Sequence, residues 1–222
     1  MPKPFWVFWA VEFWERFGYY GMQAIIALYF LNYLGFTQTH SILLFGAFSS
    51  FVYGFVWVGG SIGDNYLGAK RCIILGAAIL GVSYASLAFA TKGTVTFSLA
   101  GIVIGNALFK ANPSSLISKL YETGDSKLDS AMTLYYMAIN IGAFAAMTLT
   151  PFIAHGMGWS AAFLICAFGL LCGLISFFTF YSLVMNISTQ AGREPFDVLK
   201  VLYIIIGAAI SILVVGKLLN YI

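Results

Sequence analysis

Residues 160–183 read SAAFLICAFGLLCGLISFFTFYSL, an uninterrupted run without a single Asp, Glu, Lys, Arg or His. As a helix it rises roughly 36 Å at ~1.5 Å per residue, more than the ~30 Å hydrocarbon core of a bilayer. A helix this long and apolar on every side has no polar face to turn to water, so it reads as a membrane span. Working outward, six more segments have the same character, near Phe5–Leu34, Ser41–Ile62, Cys72–Ala90, Val95–Leu120, Ala131–Ile153 and Val198–Leu219. The connections (35–40, 63–71, 91–94, 121–130, 154–159 and 184–197) are too short to hold a soluble domain. Over 222 residues the chain is 61% hydrophobic and 9% charged, with mean hydropathy +0.91. A soluble domain carries about 25% charge, so the lipid bilayer is the expected solvent and an all-α polytopic bundle the expected fold.

The cations fix an expected orientation. Lys3, Lys70, Arg71, Lys119, Lys127, Arg193 and Lys200 fall on one side of seven alternating spans, and Lys92 and Lys217 on the other. Lysine and arginine accumulate on the cytoplasmic side, which puts the N-terminus inside. Met1–Pro4 runs straight into an aromatic-rich segment, so no cleavable signal is expected. The net charge of +3 comes from no basic run, and nucleic acid is not an expected partner. Cys72, Cys166 and Cys172 have neither disulfide nor metal-site spacing and read as small apolar fillers. His40 and His155 lie in or beside connections, with no nucleophile, metal cluster or phosphate-binding loop nearby. Neither an enzyme nor a cofactor is expected.

Four ionisable residues sit where a span should be apolar: Glu12, Glu15, Arg16 and Lys110. Each costs at least ~2.5–3.5 kcal/mol near the bilayer centre, so such residues face a cavity or a partner. On a helix, Glu15 lies roughly 60° from Glu12, Arg16 roughly 40° to the other side, and Tyr19 almost above Glu12. These four share a face, with Arg16 roughly 16 Å above Phe5, near the midplane. Burial disfavours an ionised carboxylate and a nearby cation favours it, so moving the cation switches the carboxylate's proton. Simple locking of helices is the alternative. Lys110 precedes Pro113, which breaks the helical ladder, and a snorkelling lysine beside a kink is its alternative reading. Asn140 shares a face with Tyr136 and reads as either a ligand or an interhelical hydrogen bond. Gly101 and Gly105 form a GxxxG, a pattern that lets helices approach.

Glu12-Phe-Trp-Glu15-Arg16-Phe17-Gly18-Tyr19-Tyr20-Gly21 resembles the ExxERFxYYG signature of proton-coupled oligopeptide transporters. Tyr135-Tyr136-Met-Ala-Ile139-Asn140-Ile-Gly142 resembles their FYxxINxG signature, and Phe109-Lys110-Ala-Asn112-Pro113 their fourth-helix lysine motif. Gly59-Gly60-Ser-Ile-Gly63-Asp64-Asn-Tyr-Leu67-Gly68 is similar to the segment after their second helix. Gly63 and Ala143 depart mildly, standing where many members have Ala and Ser. The resemblance implies the N-terminal six-helix half of a major facilitator fold (1–185), a cytoplasmic linker (186–197) and one additional helix (198–222), the first of an inserted pair. It implies proton-coupled symport of di- and tripeptides by alternating access across a bacterial inner membrane. Glu12, Glu15, Arg16 and Lys110 would handle the proton. Arg16 and Lys110 would attract the peptide carboxylate, with Lys110 pairing Glu15 between cycles. Tyr19, Tyr20 and Tyr53 would line the pocket and Asn140 would bind the peptide backbone or amine. Asp64, Lys70 and Arg71 would belong to a gating loop, with a helix cap as the other reading of Asp64. The family's cavity lies between two bundles, so a missing C-terminal half or a second copy of this chain is an expected partner. The alternative is a truncated, non-transporting remnant or accessory membrane protein.

Overall fold

The computed structural model describes residues 1–122, 124–195 and 197–222; positions 123 and 196, which fall in the connections 121–130 and 184–197, lie outside it. The described residues are mostly helical and contain no strand. The helices are α1 (Lys3–Asn32), α2 (Gln38–Gly54), α3 (Val56–Asn65), α4 (Ala69–Leu87), α5 (Val95–Lys110), α6 (Asn112–Ser118), α7 (Lys127–Met157), α8 (Trp159–Thr179), α9 (Tyr181–Val184) and α10 (Val198–Asn220). A 3-10 turn at Ala191–Arg193 precedes α10. Because α2 runs into α3 and α5 into α6, these form seven long rods that coincide with the seven apolar segments.

Among the described residues, six rods are long and apolar enough to cross a membrane: Gln38–Asn65, Ala69–Leu87, Val95–Ser118, Lys127–Met157, Trp159–Thr179 and Val198–Asn220. The remaining rod, α1, is long enough but carries Glu12, Glu15 and Arg16 in its middle. The fold compensates by wedging α1 between α7 and α8, which buries those three along with Phe5, Phe8, Met22 and Ile25. Helix α5 is the other interior rod: 83% of its span is buried, against 22% for α2–α3 and for α7, and 11% for α10. The α2–α3 and α7 rods therefore turn most of their surface outward, and α10 lies outside the bundle against α5.

Hydrocarbon is as apolar as leucine, so helices in lipid are held by close packing and interhelical hydrogen bonds. The GxxxG of α5 supplies the first, since it faces α4. A Cβ added to Gly105 would stand 2.8 Å from Leu80 Cγ and 2.9 Å from Leu80 N, so only glycine lets the two backbones come this near. Ser86 Oγ donates to Ser98 Oγ (2.7 Å) across the same pair. At one end of the bundle Tyr29 Oη reaches the carbonyls of Leu87 (3.2 Å) and Ala90 (3.0 Å), tying α1 to the end of α4 and the turn after it.

The break between α5 and α6 falls at Ala111, and Pro113 sits in the first turn of α6. The Asn112 amide repairs the ladder there, donating to Leu108 O (2.6 Å) and, more weakly, to Gly59 O on α3 (3.4 Å). The second break, at Phe55 between α2 and α3, has no proline to announce it.

At the end where α1 begins, the linker is not a free tether. Thr189 Oγ1 donates to Gly63 O (2.8 Å) and accepts from Ala69 N (3.1 Å), bridging the end of α3 to the start of α4. Lys70 Nζ donates to Val184 O (3.1 Å) and Met185 O (2.7 Å) at the end of α9, a placement that also suits the helix dipole. Arg71 donates to Leu67 O and Glu194 O, each at 3.2 Å.

Candidate functional site

The site begins with about one turn in the middle of α1. Arg16 Nε lies 3.1 Å from Glu12 Oε1 and 2.5 Å from Glu15 Oε2, so one guanidinium holds two carboxylates. All three side chains are buried: Glu12 and Arg16 are 2% exposed and Glu15 is fully enclosed. The spacing that puts them on one face of α1 is the spacing read from the sequence.

Helix α7 closes the site from the side. Gly142 permits it, because a Cβ there would stand 2.6 Å from Phe13 O and 3.4 Å from Arg16 Cβ. At that closeness Tyr135 Oη donates to Glu12 Oε2 (2.6 Å), and Trp9 Nε1 donates to Leu134 O (3.0 Å). Glu12 is thereby bound on both oxygens, by Arg16 and by Tyr135. Tyr19, also buried, places its ring 5.4 Å from the Arg16 guanidinium carbon and 5.5 Å edge-on from the half-buried Tyr20.

Lys110 stands at the end of α5, half-buried, with Nζ 4.4 Å from the centre of the Tyr53 ring. Among the described residues it makes no ion pair, so here it is Arg16, rather than Lys110, that holds Glu15. Lys110 still lies within electrostatic range of Arg16, Glu15 and Glu12. The triad alone carries one excess negative charge, and Lys110 balances it in sign.

Of the residues singled out in the sequence, Glu12, Glu15, Arg16, Tyr19 and Tyr20 come together, and Lys110 and Tyr53 form a second pair within range of them. Asn140 is exposed on α7 without a hydrogen-bond partner among the described residues, as is Tyr136. Asp64, Lys70 and Arg71 form a separate cluster at the end where α1 begins. Asp64 is not a helix cap. It lies in the last turn of α3 and accepts from Ser115 Oγ (3.3 Å), while Gly68 holds the N-cap position of α4. The first amide of α4, Ala69 N, is instead taken by Thr189 Oγ1 (3.1 Å).

Sequence reasoning missed three buried polar side chains. Tyr135 was visible only as part of a motif, not as the partner of Glu12. Tyr84 on α4 is completely buried with an unpartnered hydroxyl, and Asn106 on α5 is completely buried with both amide atoms unpartnered. Asn106 is four residues before Lys110, on the same face, and that i, i+4 relation was the available signal.

With this geometry in hand, the comparisons are decisive. The sequence model of the POT family (PTR2) matches residues 70–219. The chain belongs to the POT family. It is 46% identical over 221 residues to dipeptide and tripeptide permease B of Aliivibrio fischeri (strain MJ11), covering 99% of this chain and 45% of that protein. Dipeptide and tripeptide permease A of Escherichia coli (strain K12) is 44% identical over 221 residues, covering 99% of this chain and 44% of that protein. Among solved POT structures, a bacterial homologue of the human drug peptide transporters PepT1 and PepT2 superposes with a TM-score of 0.92 at 37% identity, over 100% of this chain and 51% of that one. Tetrameric PepTSo2 superposes with a TM-score of 0.92 at 36% identity, over 97% and 49%. The POT chain described here thus spans less than half the length of these curated relatives, and its fold is the N-terminal six-helix half of a major facilitator bundle with one helix added.

Proposed function

We propose that this chain supplies the N-terminal bundle of a proton-coupled symporter of di- and tripeptides. The observation that carries the reading is the buried triad, in which Arg16 holds Glu12 and Glu15 at once with Lys110 in electrostatic range. Such an arrangement couples two ligands. A peptide carboxylate that draws Arg16 or Lys110 toward itself leaves a buried carboxylate without its counter-ion. A buried carboxylate in that state takes up a proton. The proton and the peptide then enter together, because each makes room for the other at the same cation.

The remaining roles follow in the same terms. Arg16 and Lys110 bind the peptide carboxylate. Tyr19, Tyr20 and Tyr53 line the aromatic wall against which side chains rest, which makes selectivity broad. Asn140, exposed on α7, offers an amide to the peptide backbone or amine. Asp64, Lys70 and Arg71 belong to the gating loop on the cytoplasmic face of the inner membrane, where the N-terminus also lies. Residues 1–185 form the bundle, 186–197 the linker and 198–222 an additional helix. A C-terminal half, or a second copy of this chain, completes the cavity.

The test is uptake of a labelled dipeptide by proteoliposomes of this protein under an imposed inward proton gradient. Gradient-dependent uptake, competed by a tripeptide and not by a free amino acid, is expected. Glu15→Gln should abolish it while leaving counterflow exchange partly intact. No uptake from correctly inserted protein refutes transport by this chain, and equal loss of uptake and exchange in Glu15→Gln removes Glu15 from the coupling role.

A further inference from the structure

The two carboxylates of the triad are not equivalent. Glu12 has a second partner besides Arg16, the Tyr135 hydroxyl at 2.6 Å. Glu15 has none: Oε2 is committed to Arg16 and Oε1 has no hydrogen-bond partner, although the residue is fully buried. A buried carboxylate oxygen without a donor is costly, and so is a buried hydroxyl without a partner. One such hydroxyl lies nearby. Tyr84 on α4 is 0% exposed and its Oη is unpartnered. Its ring rests against α1 at Gly18, where an added Cβ would stand 3.0 Å from Tyr84 Cε2, the ring carbon next to the one bearing the hydroxyl. Gly18 is one turn beyond Glu15 on the same side of α1.

The other groups around Glu15 are taken. On α1, Glu12 shares Arg16 with it. On α7, the Tyr135 hydroxyl serves Glu12. On α5, Lys110 sits over the Tyr53 ring. On α8, the Cys166 thiol donates to Ala162 O (3.2 Å). The Tyr19 hydroxyl is also unpartnered, but its ring lies on the Arg16 guanidinium (5.4 Å) and edge-on to Tyr20, on the side of the ion pairs rather than of Gly18.

We propose that Tyr84 is a positioning residue for the proton site: when Arg16 leaves, the protonated Glu15 swings to the Tyr84 hydroxyl and donates its hydrogen bond there. The inference rests on the reading that Glu15 carries the coupled proton. The step balances simply. Arg16 moves off and opens the site, a hydronium ion gives its proton to a Glu15 oxygen and leaves as water, and the new carboxylic O–H bonds to Tyr84 Oη, which keeps its own proton throughout. Tyr84 thus gives α4 a hold on α1 only in the protonated state. In the ion-paired state of this structure the hydroxyl waits without a partner.

Infrared difference spectroscopy on the purified protein in lipid nanodiscs, acid minus neutral, reads this directly. The carboxylic C=O band lost in Glu15→Gln is that of Glu15. In Tyr84→Phe, which keeps the ring and its packing on Gly18, that band should move to higher frequency because its hydrogen bond is gone. In Tyr135→Phe it should stay in place. An unmoved Glu15 band in Tyr84→Phe refutes the proposal. Absence of any Glu15 band on acidification refutes the coupling role of Glu15 and the proposal with it. Wild-type protein labelled with carbon-13 at the tyrosine Cζ provides a second readout that needs no Tyr84 variant. A tyrosine C–O band should shift together with the Glu15 band and be silent in Glu15→Gln. A tyrosine band that never responds to acid also overturns the proposal.

Discussion

Replacing Tyr135 by phenylalanine removes one oxygen and leaves the ring where it is, so the change isolates the bond to Glu12. That bond is 2.6 Å long, both partners are buried, and the acceptor is a carboxylate whose other oxygen already faces Arg16. Hydrogen bonds to charged groups contribute ~1.5–3 kcal/mol. Interhelical bonds measured in a membrane protein average only ~0.6 kcal/mol, because an unfolded membrane chain also finds partners. Glu12 differs from those cases. Once Tyr135 is lost, Glu12 Oε2 has no second donor among the described residues, and in this closed packing of the helices a residue 2% exposed has little water to replace it. A loss of about 1.5–3 kcal/mol is therefore expected, which is roughly tenfold to a hundredfold in the unfolding equilibrium. Equilibrium unfolding in mixed detergent micelles measures it. Tyr136→Phe is the control, since Tyr136 is 62% exposed and bonds to nothing among the described residues; it should stay within ~0.5 kcal/mol of wild type. A cycle with Glu12→Gln should give a coupling of about 1 kcal/mol or more. If Tyr135→Phe costs no more than Tyr136→Phe, or the coupling vanishes, the bond does not hold α7 on α1 and the argument fails.

Gly142→Ala should destabilise by about 1–3 kcal/mol, because the new Cβ stands 2.6 Å from Phe13 O, whereas Gly156→Ala on the same helix meets nothing within 4 Å and should be tolerated; equal melting temperatures would refute the close approach of α7 to α1. Lys70→Met removes both hydrogen bonds to the end of α9, and hydrogen exchange at residues 185–189 should accelerate while the centre of α4 stays protected; an unchanged linker would mean that Lys70 does not clamp it. Lys110→Ala should weaken dipeptide binding about tenfold or more by calorimetry, with Lys200→Ala at the exposed Glu194 pair leaving it unchanged; equal affinities would remove Lys110 from carboxylate recognition.

Local features were legible in the sequence and tertiary ones were not. The face shared by Glu12, Glu15, Arg16 and Tyr19 follows from the pitch of one helix. The break at Ala111 follows from Pro113, since an imide nitrogen cannot continue the ladder. The break at Phe55 carries no such mark, because it comes from how α2 and α3 lie on α5. A GxxxG says that some helix approaches closely, but only the folded bundle names α4. Tyr84 illustrates the limit most clearly. A tyrosine in an apolar span reads as bulk with a polar tip, and nothing in its neighbours along the chain says that the ring ends against Gly18, on a helix 66 positions earlier. Asp64 shows the opposite case, in the cap that was its other reading. Its Gly-rich surroundings suggest a cap, yet the turn that follows is occupied by Thr189 from far along the chain.

The ion triad also has a consequence for how the protein is made. The bond from Tyr135 to Glu12 spans 123 positions, so at ~5–20 residues per second the first helix exists for on the order of ten seconds before its tyrosine partner is synthesised. During that interval its charges must be tolerated by the insertion machinery or by lipid. Both ion pairs of Arg16 lie within a single turn of the same helix, so they can form as soon as that turn does. The newborn helix then enters the bilayer with most of its charge already cancelled internally, and the partner on α7 arrives later to a site that is waiting rather than exposed.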